Sequence, residues 1–188
     1  GDVVQHAAAG LVVGFRASGS SIRSTAANAV VTTPMVLDIA AVQAIYGADR
    51  TTRAGDTVYT FSQDDAFLQC IYDAGGADTI DLSNFTRPNI VDLTPGSYSS
   101  LGVFDLEAQV AYWTAQFPGH GGFIRSALSS PNLYTHADNL GIALSTFIEN
   151  ATGGAAADRI AGNALGNILR GLGGGDTLLG EGGDDFSS

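Results

Sequence analysis

The chain has 188 residues, 45% of them hydrophobic, with 19 acidic against eight basic side chains and a formal net charge of −11. That length suits one good-sized domain, or a smaller one joined to an elongated unit, and the carboxylate excess argues against nucleic acid or an anionic membrane as partner and for cations as ligands. The single cysteine, Cys70, excludes an intrachain disulfide, and no apolar run reaches the ~18–20 residues of a membrane span.

Residues 1–33 are rich in Ala, Val, Ser and Thr and hold two strand-like runs, LVVGF at 11–15 and AVVTT at 29–33. The start at Gly1, without a signal-like segment, predicts a processing boundary with more of the gene product upstream. At Thr33-Pro34 a helix start is well marked, with Thr33 as N-cap, Pro34 at the first helical position and Asp38 near the positive end of the dipole. The helix is predicted over 34–46. Met35, Ile39, Val42 and Tyr46 fall on one stripe, which reads as core-facing, and Gly47 stops the helix.

From Thr57 short β-type runs follow: VYTF, FLQCIY, TIDL and NIVDL, separated by Gly, Asp, Asn and Pro. Cys70 lies in the second and reads as a buried strand residue. DAGGAD at 73–78 carries two carboxylates around a Gly-Gly turn, an arrangement able to converge on a cation; a hairpin turn with solvated acids fits the same residues. Residues 96–140 break the rhythm and read as an insertion, helical around 105–116, then turn-like at FPGHGG and loop-like at SSPNLYTHADN. Its Trp113, Phe117, Phe123 and Tyr134 are expected to pad the sheet rather than form a contact surface.

From Gly153 the chain counts in nines: GGAAADRIA, GNALGNILR, GLGGGDTLL and GEGGDDFSS. This follows G-G-x-G-x-D-x-U-x, with Asp158, Asn167, Asp176 and Asp185 at the sixth position and Ile160, Leu169 and Leu178 at the apolar U; Ser187 departs. The period predicts a parallel β-roll binding Ca²⁺. Each unit gives a turn and a short strand, two units make one coil, U side chains stack inside, and turns stack along each edge. Same-edge turns are two units apart, so Asp158 is expected to share an ion with Asp176 and Asn167 with Asp185. Turn carbonyls would help, among them those of Gly171, Gly173, Gly180 and Gly182. A flexible Gly-rich linker accounts for the composition but not for the register. The first two units lack consensus glycines, so their turns could instead meet the preceding region. The row stops inside its fourth unit, which predicts further repeats beyond Ser188.

PMVLDIAAVQAIYGADRTTRAGDTVYTF, then YDAGGADTIDLSNF, then FIENATGG running into the nonapeptides resembles the C-terminal half of the serralysins. These are secreted bacterial zinc metalloproteases with an N-terminal catalytic domain and a C-terminal β-roll. The resemblance covers 34–95 and 141–188 and skips 96–140. It implies a mainly β fold: a parallel β-roll of RTX repeats preceded by a β-sandwich-like region and a helix from the end of the catalytic domain. Residues 1–47 would then be the tail of that domain, and 48–188 the calcium-binding domain with repeats at 153–188. It also implies two junction ions. One would be held by the backbone oxygens of Arg53, Gly55 and Thr57 with Asp73, Gly75 and Asp78, the other by Gly76, Asp78 and Glu149 with the carbonyl of Phe147.

The zinc motif H-E-x-x-H-x-x-G-x-x-H of that family is absent from the chain: His6, His120 and His136 lie in unlike contexts, and Met35 belongs to the 34–46 helix, not to the family's methionine turn. Zinc and catalysis are therefore expected only in an upstream part of the parent, and the chain alone should not digest casein. The functional expectation is a calcium-dependent C-terminal region of a secreted, extracellular protease, exported unfolded through type I machinery and folding on calcium outside. The alternative is the same module on a non-catalytic adhesin or surface-layer protein. An intracellular calcium buffer fits poorly, because weak roll sites would stay empty in cytosol.

Overall fold

The computed structural model describes residues 11–18, 21–131 and 133–188. In chain order its elements are β1 (Leu11–Ser18), β2 (Ser21–Asn28), β3 (Val30–Val31), α1 (Val36–Tyr46), β4 (Val58–Thr60), β5 (Phe67–Ile71), β6 (Thr79–Asp81), β7 (Ile90–Asp92) and β8 (Tyr98–Ser99). There follow α2 (Leu106–Gln116), α3 (Gly121–Leu128), β9 (Leu140–Ile142), β10 (Asn150–Thr152), β11 (Arg159–Ala161), β12 (Ile168–Arg170), β13 (Thr177–Leu179) and β14 (Phe186–Ser187). β1 and β2 form an antiparallel hairpin from Leu11 opposite Asn28 to Ser18 opposite Ser21. His6 lies outside the described residues.

Helix α1 ends where expected but departs from expectation at its N-cap and along its apolar stripe. Its N-cap is Met35, whose N–H donates to Asp38 Oδ2 at 3.0 Å, while the Thr33 hydroxyl accepts from the Cys70 N–H at 2.7 Å and is not free to cap. Gly47, in a left-handed conformation with φ 82°, closes the helix by donating to the Gln43 carbonyl. The expected core stripe is only half covered: Met35 and Val36 are buried with Cys70 and Ala143, but Val42 is 54% and Tyr46 82% exposed. Cys70 is a buried strand residue, as expected, and burial pushes its thiol up to about 12.

The C-terminal strands are three residues long or shorter and run parallel in two sheets, in the orders β14-β12-β10-β6-β4 and β13-β11-β7. From β10 onward the chain changes sheet at every strand, so Arg159 pairs opposite Thr177 and Ile168 opposite Phe186, each two units apart. Only the middle residue of such a strand can point inward. Ile80, Val91, Ala151, Ile160 and Leu169 do so and are fully buried together, with Leu178 partly covered. Each large aliphatic side chain so buried contributes roughly 1.5–3 kcal/mol.

The two parallel sheets begin before the first nonapeptide, with β4, β6 and β7. Of these strands, β7 pairs parallel with β11 of the first nonapeptide, β6 with β10 just before it, and β4 with β6. Each of these short strands offers one inward side chain, Tyr59, Ile80 or Val91, and so extends the stack. A further sheet, β3-β5-β9-β8, is parallel except for β8 and adds Phe67, Ile71, Leu140 and Ile142 to the same core.

Residues 104–135 leave this body as a helical excursion closed at its base by Phe104 N–H donating to the Thr135 carbonyl at 3.0 Å. Asp105 caps α2 by accepting from the Ala108 N–H. Helix α3 was not expected from the turn-like GHGG, where Gly119 has φ 84°; it forms because Ile124 and Leu128 bury one face against Leu106, Val110, Trp113 and Phe117. Arg125 clasps Glu107 through both guanidinium nitrogens, at 2.7 and 2.5 Å. Thus Trp113 and Phe117 fill the excursion's own core, Phe123 is exposed, and of the four aromatics only Tyr134 pads the sheet, its hydroxyl donating to the Phe67 carbonyl.

Candidate metal centre

Two stacked turns, 53–57 and 73–78, bring the carboxylates together. Arg53 takes a left-handed φ of 50° and Gly75 and Gly76 take 142° and 139°. Gly76 lies so close to Gly55 that a Cβ there would overlap the Gly55 carbonyl. Thr57 N–H donates to Asp78 Oδ1 at 2.8 Å and Ala77 N–H to Asp56 Oδ1 at 2.9 Å, tying the turns to each other. Glu149, from the segment entering β10, reaches the same place and accepts from the Asp78 N–H at 2.8 Å. Asp73 is held by the Gly75 N–H on Oδ1 at 2.9 Å and the Tyr59 hydroxyl on Oδ2 at 2.5 Å, while its backbone exchanges hydrogen bonds with the Thr146 hydroxyl.

Asp78 is the group under stress. It is fully buried, and its Oδ2 has no hydrogen-bond partner. Its carboxyl is pushed up to about 6, first by loss of solvent and then by the negative charges of Asp73, Glu149 and Asp56, against the lowering effect of the Thr57 N–H. A buried carboxylate oxygen with no donor, surrounded by like charges, is an environment that a hard cation relieves at neutral pH. Among the described residues no three His, Cys, Asp or Glu side chains form a ready-made metal cluster, so an ion here would need main-chain oxygens for much of its coordination.

The repeat turns use their sixth residue differently. In every unit the first-position glycine leaves room for the sixth-position side chain to fold back: a Cβ on Gly153, Gly162, Gly171 or Gly180 would overlap the side-chain oxygen of Asp158, Asn167, Asp176 or Asp185. Along one edge Asp158 Oδ1 accepts the Asn89 N–H at 2.7 Å, and Asp176 Oδ1 accepts the Asp158 N–H at 2.9 Å. Along the other, Asp185 Oδ1 accepts the Asn167 N–H at 2.9 Å. Each sixth-position acid thus holds the backbone of the coil beneath. Asp158 and Asp176, and Asn167 and Asp185, are neighbours as the period requires.

Of the remaining residues singled out, Gly171, Gly173, Gly180 and Gly182 line these turns and Phe147, half exposed, precedes Glu149. His120 and His136 lie apart, His120 before α3 and His136 buried against Tyr134 at 4.5 Å. Sequence reasoning missed Asp56, Tyr59, Asn89 and Thr146. Asp56 stands inside the R-x-G-D-T string and was the one findable locally; the other three act across long sequence separations.

Residues 36–115 match the family described as peptidase M10 serralysin C terminal. Residues 36–115 are a serralysin C-terminal region. The serralysin likeness extends beyond that segment: the chain is 32% identical over 149 residues to metallopeptidase AprA of Pseudomonas marginalis, covering 73% of the chain and 24% of that relative. It is 30% identical over 148 residues to a serralysin of Proteus mirabilis, covering 72% and 24%. To serralysin C of Dickeya chrysanthemi it is 36% identical over 91 residues, covering 42% and 19%. The chain thus spans about a quarter of the length of the first two serralysin relatives. No helix among the described residues is long and apolar enough to cross a membrane.

Proposed function

We propose that this is the calcium-binding C-terminal region of a secreted serralysin-like metalloendopeptidase, completing its fold on calcium after export. The observation that carries the reading is Asp78, whose buried, partnerless Oδ2 faces Asp73, Asp56 and Glu149. Calcium supplies the positive charge and the demand for six or more oxygens that such a site lacks. The chain's own residues do the rest: Asp73 and Asp78 present carboxylates from one turn, Glu149 brings a third from the entry to β10, and Arg53, Gly55, Thr57, Gly75, Gly76 and Phe147 offer main-chain oxygens. On the RTX-type repeats the donors are the sixth-position side chains of Asp158, Asn167, Asp176 and Asp185 with the carbonyls of Gly171, Gly173, Gly180 and Gly182.

Residues 1–47 belong, in this reading, to the end of the catalytic domain, which suits the apolar surface that Val42, Ile45 and Tyr46 leave uncovered on α1. Residues 48–188 form the calcium-binding domain, with 96–140 as its insertion. Zinc and peptide cleavage belong to the parent upstream, and the net charge of −11 keeps the calcium-free chain expanded for type I export. One hundredfold saturation of one independent site adds about 2.7 kcal/mol, enough to decide the folding of a marginal domain. The test is far-UV circular dichroism of the chain in EGTA: the β signal should fall and return with calcium but not magnesium, and a spectrum indifferent to EGTA would refute the proposal.

A further inference from the structure

The four repeat turns are not alike. In the third and fourth units the second and fourth positions are left-handed, with φ of 67° at Leu172, 113° at Gly174, 69° at Glu181 and 98° at Gly183. The first two units have no positive φ at these positions. Instead the second-position N–H turns inward and donates to the sixth-position side chain: Gly154 to Asp158 Oδ2 at 2.6 Å and Asn163 to Asn167 Oδ1 at 2.8 Å. Among the described residues, Asp176 and Asp185 receive no such second hydrogen bond.

The first two turns are also clamped by amides. Asp158, 3% exposed, accepts from both the N–H and the Nδ2 of Asn89, at 2.7 and 2.9 Å, in addition to Gly154. Asn89 in turn is fixed by Gly102 N–H donating to its Oδ1. On the opposite edge Asn167 Nδ2 donates to the Glu149 carbonyl at 2.8 Å, and Asn163 Nδ2 donates to the carbonyls of Ile148 and Leu93 at 2.8 and 3.1 Å. An amide NH₂ is a donor and cannot ligate a cation, and the Asp158 carboxylate already has three donors.

We propose that the first coil is sealed by this amide latch, Asn89–Asp158 on one edge and Asn163–Asn167 on the other, and needs no ion. It is a calcium-independent template on which the Asp176 and Asp185 turns close when calcium arrives. Asp158 is then a structural acceptor, not a ligand equal to Asp176. The inference rests on the calcium reading and narrows it to the later turns of the repeat row.

Hydrogen exchange read by mass spectrometry on the full chain tests it, in millimolar calcium and in EGTA. Peptides across 153–170 should change by less than about twofold on calcium removal, and those across 171–188 should exchange at least about tenfold faster. If both spans lose protection together, the latch is overturned while calcium dependence stands; if neither does, the repeat row takes no calcium and the inference fails, while peptides across 53–78 report the junction site separately. Titration calorimetry gives a second arm. Asp158→Asn should keep calcium affinity within about twofold and Asp176→Asn should weaken it at least about tenfold, whereas equal losses would make Asp158 a ligand and overturn the latch. Should Asp158→Asn not fold, the exchange pattern of the unaltered chain still decides.

Discussion

Replacing Asp78 by Asn should have opposite effects with and without calcium. In the free protein the Asp78 carboxyl stands at about 6 against an ordinary 3.8. At about 1.4 kcal/mol per unit the full shift is worth roughly 3 kcal/mol, and solvent screening at the exposed Gly76 and Ala77 beside it reduces this to about 1–2 kcal/mol. Because the folded-state value of an acid is raised, the cost is absent below 3.8, grows through the interval up to about 6, and is complete above it. Calcium-free protein should therefore lose stability as pH rises through that window. Asp78→Asn removes the charge, keeps an oxygen for the Thr57 N–H and gains an NH₂ that can donate toward Asp73 or Glu149. Urea unfolding in EGTA at neutral pH should show the variant about 1–2 kcal/mol more stable than the parent. In millimolar calcium the order should invert, since the variant forfeits linkage worth about 2.7 kcal/mol at hundredfold saturation. A variant less stable than the parent in both buffers would refute the reasoning, because Asp78 would then be an ordinary structural acceptor.

His136 is buried with an unpartnered Nδ1, and burial, followed by the nearby Arg87 charge, pushes it down to about 4. A base with a lowered folded-state value loses stability as pH falls through 6.5 toward 4, costing about 2 kcal/mol near pH 5; His136→Gln should flatten that acid limb of a urea-midpoint profile, and an unchanged limb would place the effect elsewhere. Glu181 holds a φ of 69° on an exposed turn, a conformation costing a non-glycine residue roughly 1–2 kcal/mol. Glu181→Gly should raise the calcium-bound melting temperature, with a net gain of about 0.5–1 kcal/mol after the entropy of glycine is counted; a lower melting temperature would contradict this. Ile160→Ala, in the middle of the stack, should cost about 2–5 kcal/mol by the cavity it leaves, and a loss under about 1 kcal/mol would mean the two sheets do not share a tight core.

What was legible in the sequence was what the chain decides over a few residues. The nine-residue period fixes where a strand centre and a sixth-position acid fall, so Ile160, Leu169 and Leu178 were legible, and the short β-type runs between turn residues marked the strands at 58–60, 67–71, 79–81 and 90–92. Partners far along the chain were not legible. Thr33 has every local mark of an N-cap, yet its hydroxyl is taken by the Cys70 N–H, and the cap moves to Met35. The strands β4, β6 and β7 carry no local sign of their pairing direction, so their parallel pairing was not legible. Helix α3 hides behind glycines because its stability comes from packing Ile124 and Leu128 on α2, not from propensity. At the candidate site the DAGGAD turn and Glu149 were visible, whereas the Asn89 amide on Asp158 depends on a fold that sets residues 69 positions apart side by side.

The central claim is that calcium completes this fold, and the most direct measurement is the thermal unfolding midpoint of the whole chain at a series of free calcium concentrations. The account predicts a midpoint that climbs with the logarithm of calcium once the sites begin to fill, as binding to the folded state alone requires, while magnesium leaves it nearly level. A midpoint flat from EGTA to millimolar calcium would contradict it.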